Sequence, residues 1–319
     1  MAQAIVSNGL NYKGEFFVSI ATEPVTSPVR FDEKTIRQSF NRAPFLLEHQ
    51  LIGHPLFELP RLIELAGSLP EDQVEYNSGD LPLTQDPLKT PRNGLSIHET
   101  IQRIEECRSW MVLKNVEVDP NYRQLLDLCL DPLIRYSPTC ERERPLCSFL
   151  RRTQSPPYHI DHECNFLLQI AGSKAVRMLP PNDPTVIQEL DLERFYAGGS
   201  RNLLRLDSQA EAKASSFELT PGLGLHFPIT APHWVKNGPA VSISFSITLR
   251  TSQSVRREIL YRINHRLRML GLHPRPVGSS QSADNIKYAV FNAVRTIVKA
   301  VRPNRASSHL SGSRYSNGA

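Results

Sequence analysis

The chain has 319 residues, 40% hydrophobic and 22% charged, with a formal net charge of +5. That is an ordinary globular composition on a chain longer than one small core, so a barrel with added helices is expected. No run of about twenty apolar residues would span a membrane, and Met1 to Gly14 lacks the charged-then-apolar pattern of a secretion signal. The five cysteines (Cys107, Cys129, Cys140, Cys147 and Cys164) are odd in number and lack CxxC spacing, against a disulfide framework or a zinc knuckle. The expectation is a cytoplasmic protein with reduced thiols and no membrane partner.

Residues 1–93 read as an N-terminal accessory region ending in a loop. Phe45-Leu46-Leu47 and His54-Pro55-Leu56-Phe57 mix apolar residues with turn formers, and Leu59 to Leu69 predicts a short helix with Pro60 at its start. From Glu71 to Asn93 the chain is rich in Pro, Asp, Gly and Thr, the composition of a loop over a barrel mouth. Ser96-Ile97-His98-Glu99 is a capping-box pattern for a helix reaching about Cys107, with Ile97, Ile101 and Ile104 on one face. Trp110 to Leu113 reads as a buried strand, and Pro120 opens a helix carrying Leu125, Leu126, Cys129 and Leu130.

The chemistry is concentrated between residues 157 and 250. In His159-Ile160-Asp161 the first and third residues of an extended segment point to one side, so an imidazole and a carboxylate reach one point in space. His233, in Pro232-His233-Trp234, is a candidate second imidazole for the fold to bring in. Two imidazoles and a carboxylate on one face of a metal leave its other positions open, the arrangement of non-haem Fe(II) oxygen chemistry. Lys174 adds a cation fifteen residues after His159, suited to an acidic cosubstrate. His162 alternates to the other side, His226 reads as a strand residue lining the barrel, and Trp234 as core or pocket wall. Cys164 reads as a small buried hydrophobe.

Local context supports a β-rich site. Asn165 to Ile170 predicts a strand, Ala171-Gly172-Ser173 a turn, and Lys174 to Leu179 a return strand halted by Pro180-Pro181. Pro221 to Gly224 opens another short strand ending at Pro228. Asn237-Gly238 is a hairpin signal before Val241 to Ile247, where apolar residues alternate with serines.

These pieces, His159-x-Asp161, Asn165-Phe166, Gln169-Ile170, Gly172-x-Lys174, Pro180-Pro181 and the Pro228/His233 pair, resemble the JmjC and cupin-like 2-oxoglutarate oxygenases. The branch containing the factor-inhibiting-HIF asparaginyl hydroxylase is the nearest in pattern, over roughly residues 105 to 250. The whole chain also resembles bacterial cupin-like "transcriptional regulator" proteins. The resemblance implies a mainly β fold with helical additions, built on a double-stranded β-helix (jelly-roll, cupin-like) core over 94–250 with its preceding helices. It implies Fe(II) held by the catalytic residues His159, Asp161 and His233, with 2-oxoglutarate and O2 as cosubstrates. Lys174 would pair with the far carboxylate of 2-oxoglutarate, and Asn165 would orient its metal end. Many related enzymes place an arginine ten or eleven residues after the last histidine. Those positions here are Ile243 and Ser244, which leaves the role to Lys174. The implied activity is hydroxylation of a C–H bond in a small molecule or a protein side chain.

Residues 251–303 change character, and 304–319 reads as a serine-rich disordered tail. From Arg250 to Ala319 there are thirteen basic and two acidic residues, a balance of +11, so the preceding 249 residues carry −6. One predicted helix carries Ile259, Ile263, Leu267 and Leu270 before Gly271. A second, starting near Ser282 or Asp284, carries Ile286, Val290, Val294, Ile297 and Val301 before Pro303. Related hydroxylases dimerise through C-terminal helices, so these stripes imply a homodimer. Nucleic-acid binding by the basic helices ranks second, because no helix-turn-helix, zinc-finger or RNP-like pattern accompanies the charge. The alternative to an enzyme is a cupin-like regulator without turnover, or a nucleic-acid-associated protein with the barrel as scaffold.

Overall fold

Period-two alternation decides which side chains line the barrel and which lie under the helices. The computed structural model describes residues 4–10, 16–22, 26–78, 94–95, 97–103, 109–136, 140–141, 158–181, 183–201 and 208–301. The expected tail 304–319, most of the expected loop 71–93, Ile104, Cys107 and Cys147 lie outside the described residues.

The first elements are β1 (Ala4–Leu10), β2 (Phe16–Thr22), β3 (Val29–Arg30), α1 (Glu33–Ser39), β4 (Phe45–His49), α2 (Leu59–Ser68) and β5 (Val74–Ser78). Next come α3 (Ile97–Gln102), β6 (Ser109–Leu113), α4 (Pro120–Tyr136) and β7 (Cys140–Glu141). Then follow β8 (Cys164–Ala171), β9 (Lys174–Met178), α5 (Glu189–Tyr196), α6 (Ser208–Ala212), β10 (Ser215–Leu219) and β11 (Leu223–Phe227). The chain continues through β12 (His233–Asn237), β13 (Ile243–Thr251), α7 (Ser252–Met269) and α8 (Gln281–Val301). Local chemistry sets several boundaries. Asp32 caps α1 by accepting from the Thr35 N–H at 2.8 Å, and Thr251 and Ser254 form a reciprocal capping box at the start of α7. Gly271, at φ +80°, stands where α7 stops.

A six-stranded sheet in the order β3-β4-β11-β8-β13-β7 faces a three-stranded sheet in the order β10-β9-β12. The chain passes between the sheets from β8 to β9, from β10 to β11, from β11 to β12 and from β12 to β13. All pairings are antiparallel. This is the double-stranded β-helix, with helices added. Residues 29–49, read from sequence as part of an accessory region, supply two strands of its larger sheet.

The expected hairpins take a different form. Ala171-Gly172-Ser173 does not pair β8 with β9, and Asn237-Gly238 does not pair β12 with β13; each turn carries the chain from one sheet to the other. The two crossings press together. The Gly238 N–H donates to the Ser173 carbonyl at 2.8 Å. A β-carbon at Gly172 (φ +67°) would collide with the Val241 carbonyl, and one at Gly238 with the Ser173 hydroxyl.

Between the sheets Leu167, Leu225 and Phe227 meet Val176, Met178, Leu219 and Val235. The outer face of the larger sheet carries Phe166, Leu168, Ile170, Phe245, Ile247 and Leu249, packed with Tyr122, Leu126, Leu130 and Leu133 of α4 and Leu62 and Leu65 of α2. The serine–apolar alternation of β13 is therefore polar inward and apolar outward. Ser244 and Ser246 donate to Gln169 and Asn165 across the barrel wall at 2.8 and 2.7 Å.

His226 faces outward too, contrary to the expectation that it lines the barrel. Its ring packs among Phe40, Phe45 and Phe166, and its Nε2 accepts from the Asn41 N–H at 3.1 Å. Parity on β11 explains this, because Leu225 and Phe227 take the inner positions.

The C-terminal helices divide. On α7 the buried residues are Ser254, Leu260, Tyr261 and Asn264, while Ile259, Ile263 and Leu267 of the expected stripe are half-buried and Leu270 is exposed. Tyr261 stacks on Tyr196 of α5 at 5.2 Å, and the Arg268 Nε donates to both oxygens of buried Glu193 at 2.8 and 3.0 Å. Among the described residues no helix is long and apolar enough to cross a membrane.

Burial pushes the His226 imidazole down to about 3, from an ordinary 6.5. The unfolded chain takes up that proton near pH 6.5 while the folded chain excludes it, so this stabilisation is full above 6.5 and declines as pH falls toward 3. By pH 5 the loss from this one group is about 2 kcal/mol. Thermal melts at pH 7, 6 and 5 should show His226→Gln, which keeps an acceptor for Asn41, losing less stability on acidification than the wild type.

Candidate metal centre

Two backbone hydrogen bonds build the site. His159 N–H donates to the His233 carbonyl at 3.1 Å, and His233 N–H donates to the His159 carbonyl at 2.9 Å. The pair forms an isolated antiparallel bridge with imidazole centroids 4.2 Å apart. The turn from Pro228 to Pro232 delivers His233. Within it the Ala231 N–H donates to the Pro228 carbonyl at 3.1 Å, and the Thr230 N–H donates to the Asp161 main-chain carbonyl at 3.2 Å. Thr230 sits at φ +57°, a left-handed conformation that costs a β-branched residue about 1–3 kcal/mol.

Extended-chain parity then places Asp161 on the side of His159, while Ile160 is buried opposite, against Leu192 and Phe195. Asp161 Oδ1 lies 3.9 Å from His159 Nε2, and Oδ2 lies 3.7 Å from His233 Nε2. One ligand atom from each of the three residues falls within 4.8 Å of the others. Two ligand atoms about 2.1 Å from one ion can stand up to about 4.2 Å apart, and each carboxylate oxygen meets that limit toward one imidazole, Oδ1 toward His159 and Oδ2 toward His233. A set of two nitrogens and one oxygen without thiolate fits a non-haem Fe(II) ion.

The charge states agree. Burial alone pushes the Asp161 carboxyl up, but Arg201 and then His159 and His233 pull it further down, below the usual carboxylate range. Burial lowers the His233 imidazole, against the opposing pull of Asp161. Its Nδ1 lies 2.8 Å from the Ala231 carbonyl. That contact selects the tautomer with Nδ1–H donating, which leaves Nε2 as the free ligand nitrogen.

Lys174 and Asn165 both stand at inward positions of the barrel strands. Lys174 shares the parity of Val176 and Met178, both between the sheets. In the β9–β12 register His233 is opposite Met178 and Lys174 opposite Asn237. The lysine is therefore four residues along the ladder from the metal end, about 13 Å between main chains. Asn165 is buried on the inner face of β8, its Oδ1 accepting from Ser246 Oγ at 2.7 Å.

The remaining candidates take structural roles. His162 stacks on Phe195 with centroids 3.8 Å apart. Burial, followed by the nearby Arg250, pushes its imidazole down to about 4. Trp234 packs edge-on against Tyr158, with Arg177 over its ring, on the outer side of the smaller sheet. Cys164 is buried, and its thiol donates to the Leu249 carbonyl at 3.4 Å.

Sequence reasoning missed Arg201. Its guanidinium pairs with Asp161 Oδ1, and its carbonyl accepts from the Ile160 N–H at 3.0 Å. The one local signal was Gly198-Gly199 directly after a helix, which marks a turn but not its destination.

A jelly-roll barrel with two imidazoles and a carboxylate at one end of its smaller sheet defines the fold class: a cupin-like double-stranded β-helix carrying a candidate metal triad. Among solved structures the chain is similar to YcfD of Escherichia coli, with a TM-score of 0.47 and 14% identity over 88% of this chain and 70% of that one. A crystal structure of the Escherichia coli ribosomal oxygenase YcfD gives 0.46 and 13% over the same shares. The YcfD structure in complex with cobalt and 2-oxoglutarate gives 0.47 and 13% over 88% and 68%. These likenesses concern the fold alone. No protein-family model matches the chain, and no curated protein sequence matches it.

Anaerobic titration with Co(II) should give one bound equivalent in the wild type. His159→Ala, Asp161→Ala and His233→Ala should each abolish stoichiometric binding, because two ligands do not hold the ion facially. His162→Ala should retain the full equivalent, and its loss of metal would reassign the ligand set.

Proposed function

We propose that this protein is an Fe(II)- and 2-oxoglutarate-dependent oxygenase that hydroxylates a C–H bond of a small molecule or a protein side chain. The supporting observation is convergence. The three ligand residues meet at one end of the β9–β12 ladder, and Lys174 stands on the inner face of the same two strands. When bound, Fe(II) with 2-oxoglutarate and O2 supplies the oxidation, in which one oxygen atom enters the substrate C–H bond as hydroxyl and the keto acid leaves as succinate and carbon dioxide.

The chain's own residues bind and orient. His159, Asp161 and His233 hold the ion from one side. Lys174 takes the far carboxylate of 2-oxoglutarate, a charge-assisted contact among the stronger polar interactions a pocket can make. Asn165, oriented by Ser246, faces the metal end of the cosubstrate. Phe227 packs edge-on to His233 with centroids 4.7 Å apart. With Val176 and Met178 it forms an apolar wall that excludes water from the inner end of the site. The substrate is a small molecule or a protein side chain, and the cell compartment in this reading is the cytoplasm.

Adding Fe(II) and 2-oxoglutarate anaerobically should produce a weak visible charge-transfer band in the wild type. In Lys174→Ala the metal should still bind, while 2-oxoglutarate affinity falls by about 2–5 kcal/mol, the usual result of truncating one partner of a buried charged pair. Lys174→Arg should restore only part, since a planar fork differs from an ammonium in reach. Unchanged 2-oxoglutarate affinity in Lys174→Ala would place the anchoring cation elsewhere.

We also propose that a second copy of the chain covers α8. Ile286, Val290, Val294 and Ile297 recur at three- and four-residue spacing and are each between 53% and 65% exposed, a continuous apolar stripe that water does not favour. Light scattering should show a dimer for the wild type and a monomer for Val290→Glu with Val294→Glu, because an unpaired carboxylate in an apolar contact is strongly unfavourable. A wild-type monomer at micromolar concentration that binds DNA in a salt-dependent way would favour the nucleic-acid reading instead.

A further inference from the structure

The Arg201 guanidinium is brought to the metal triad by a turn built for the purpose. After α5, Gly198 takes φ +102°, and the Gly199 N–H donates to the Arg194 carbonyl at 2.9 Å. A β-carbon at Gly199 would stand 2.8 Å from that carbonyl oxygen, so the chain passes only as glycine. Two residues later the Arg201 carbonyl accepts from the Ile160 N–H at 3.0 Å, which pins position 201 to the residue between the two ligands His159 and Asp161. The side chain is half exposed, and Nη2 donates to Asp161 Oδ1.

An arginine–aspartate pair with one partner half exposed contributes little to stability. What distinguishes this pair is the oxygen engaged. Oδ1, 3.9 Å from His159 Nε2, is held by the guanidinium, whereas Oδ2, 3.7 Å from His233 Nε2, is the oxygen the guanidinium leaves to an ion. A facial triad of three protein atoms leaves three of six octahedral positions open, and a chelating keto acid needs two of them. If Asp161 engaged an ion through both oxygens, four protein atoms would be bound and the last open position would be lost to the chelate.

We infer that Arg201 is a positioning residue that holds Asp161 as a single-oxygen ligand, keeping open the position that the cosubstrate chemistry needs. The inference rests on the metal reading of the triad. It uses only this chain's own contacts around Asp161, and nothing in the sequence motif assigns position 201 a role.

The test is anaerobic and needs no substrate. Wild type, Arg201→Ala and Arg201→Lys are loaded with Co(II), visible spectra are recorded without 2-oxoglutarate, and 2-oxoglutarate is then titrated in. The expected result is a Co(II) spectrum altered in Arg201→Ala before any keto acid is present, with 2-oxoglutarate affinity lowered tenfold or more. Outer-shell partners of metal ligands usually act on a scale of about 10–100-fold. Arg201→Lys, which keeps one cationic donor, should return part of both signals. Gly199→Ala, which displaces the turn but leaves the arginine in the chain, should reproduce the spectral change. A Co(II) spectrum of Arg201→Ala identical to wild type overturns the inference, even if 2-oxoglutarate affinity falls, because the arginine would then contact the keto acid and not set the ligand. A wild type that binds no Co(II) overturns the metal reading and this inference together, whereas normal wild-type binding with unaltered variants overturns this inference alone.

Discussion

The reciprocal backbone bridge between His159 and His233 is the constraint on which the site depends. These residues are far apart in sequence, and two N–H to carbonyl bonds of 3.1 and 2.9 Å set their imidazoles side by side. The bridge extends the register of the smaller sheet, since His233 also faces Met178 in the β9–β12 ladder. Any slip of β12 by one residue would turn His233 outward and bring Trp234 inward. The outward position of Trp234, held between Tyr158 and Arg177, therefore secures the inward position of the histidine.

The larger sheet has its polarity arranged to match. In many barrels the apolar residues fill the interior and the polar ones meet water. Here β8 and β13 turn Asn165, Gln169, Ser244 and Ser246 inward, where they hydrogen-bond one another. Their apolar partners go outward, where α2 and α4 cover them. The main hydrophobic core thus lies outside the barrel.

Outside the barrel, α5 and α7 form a second packed unit through Tyr196, Tyr261 and the Glu193–Arg268 pair. Its importance to the site is indirect. It fixes where α5 ends, and the glycine turn after α5 decides where Arg201 falls. His162, held against Phe195 in the same unit, ties the chain just after Asp161 to that helix. Asp161 is consequently braced from one side by the barrel and from the other by the helical layer.

The sequence by itself determined the features that depend on short-range periodicity. His159-x-Asp161 shares one face because extended chains alternate. The strands around Asn165, Lys174 and Ile243, the helix at Pro120, and the stop at Gly271 were all legible from local pattern. Four matters were decided only by tertiary structure. Glycine turns at 172 and 238 looked like hairpin signals, but a turn's sequence does not say whether its flanking strands pair in one sheet or enter two. His226 alternates identically whichever face lies against the barrel interior, so only the packing of Phe40, Phe45 and Phe166 placed it outside. The strands at 29–49 were too short and irregular to be recognised as members of the main sheet until β11 paired with β4. Arg201 carries no motif, and its partner is forty residues distant; its role follows from where α5 ends in space, which no local spacing encodes.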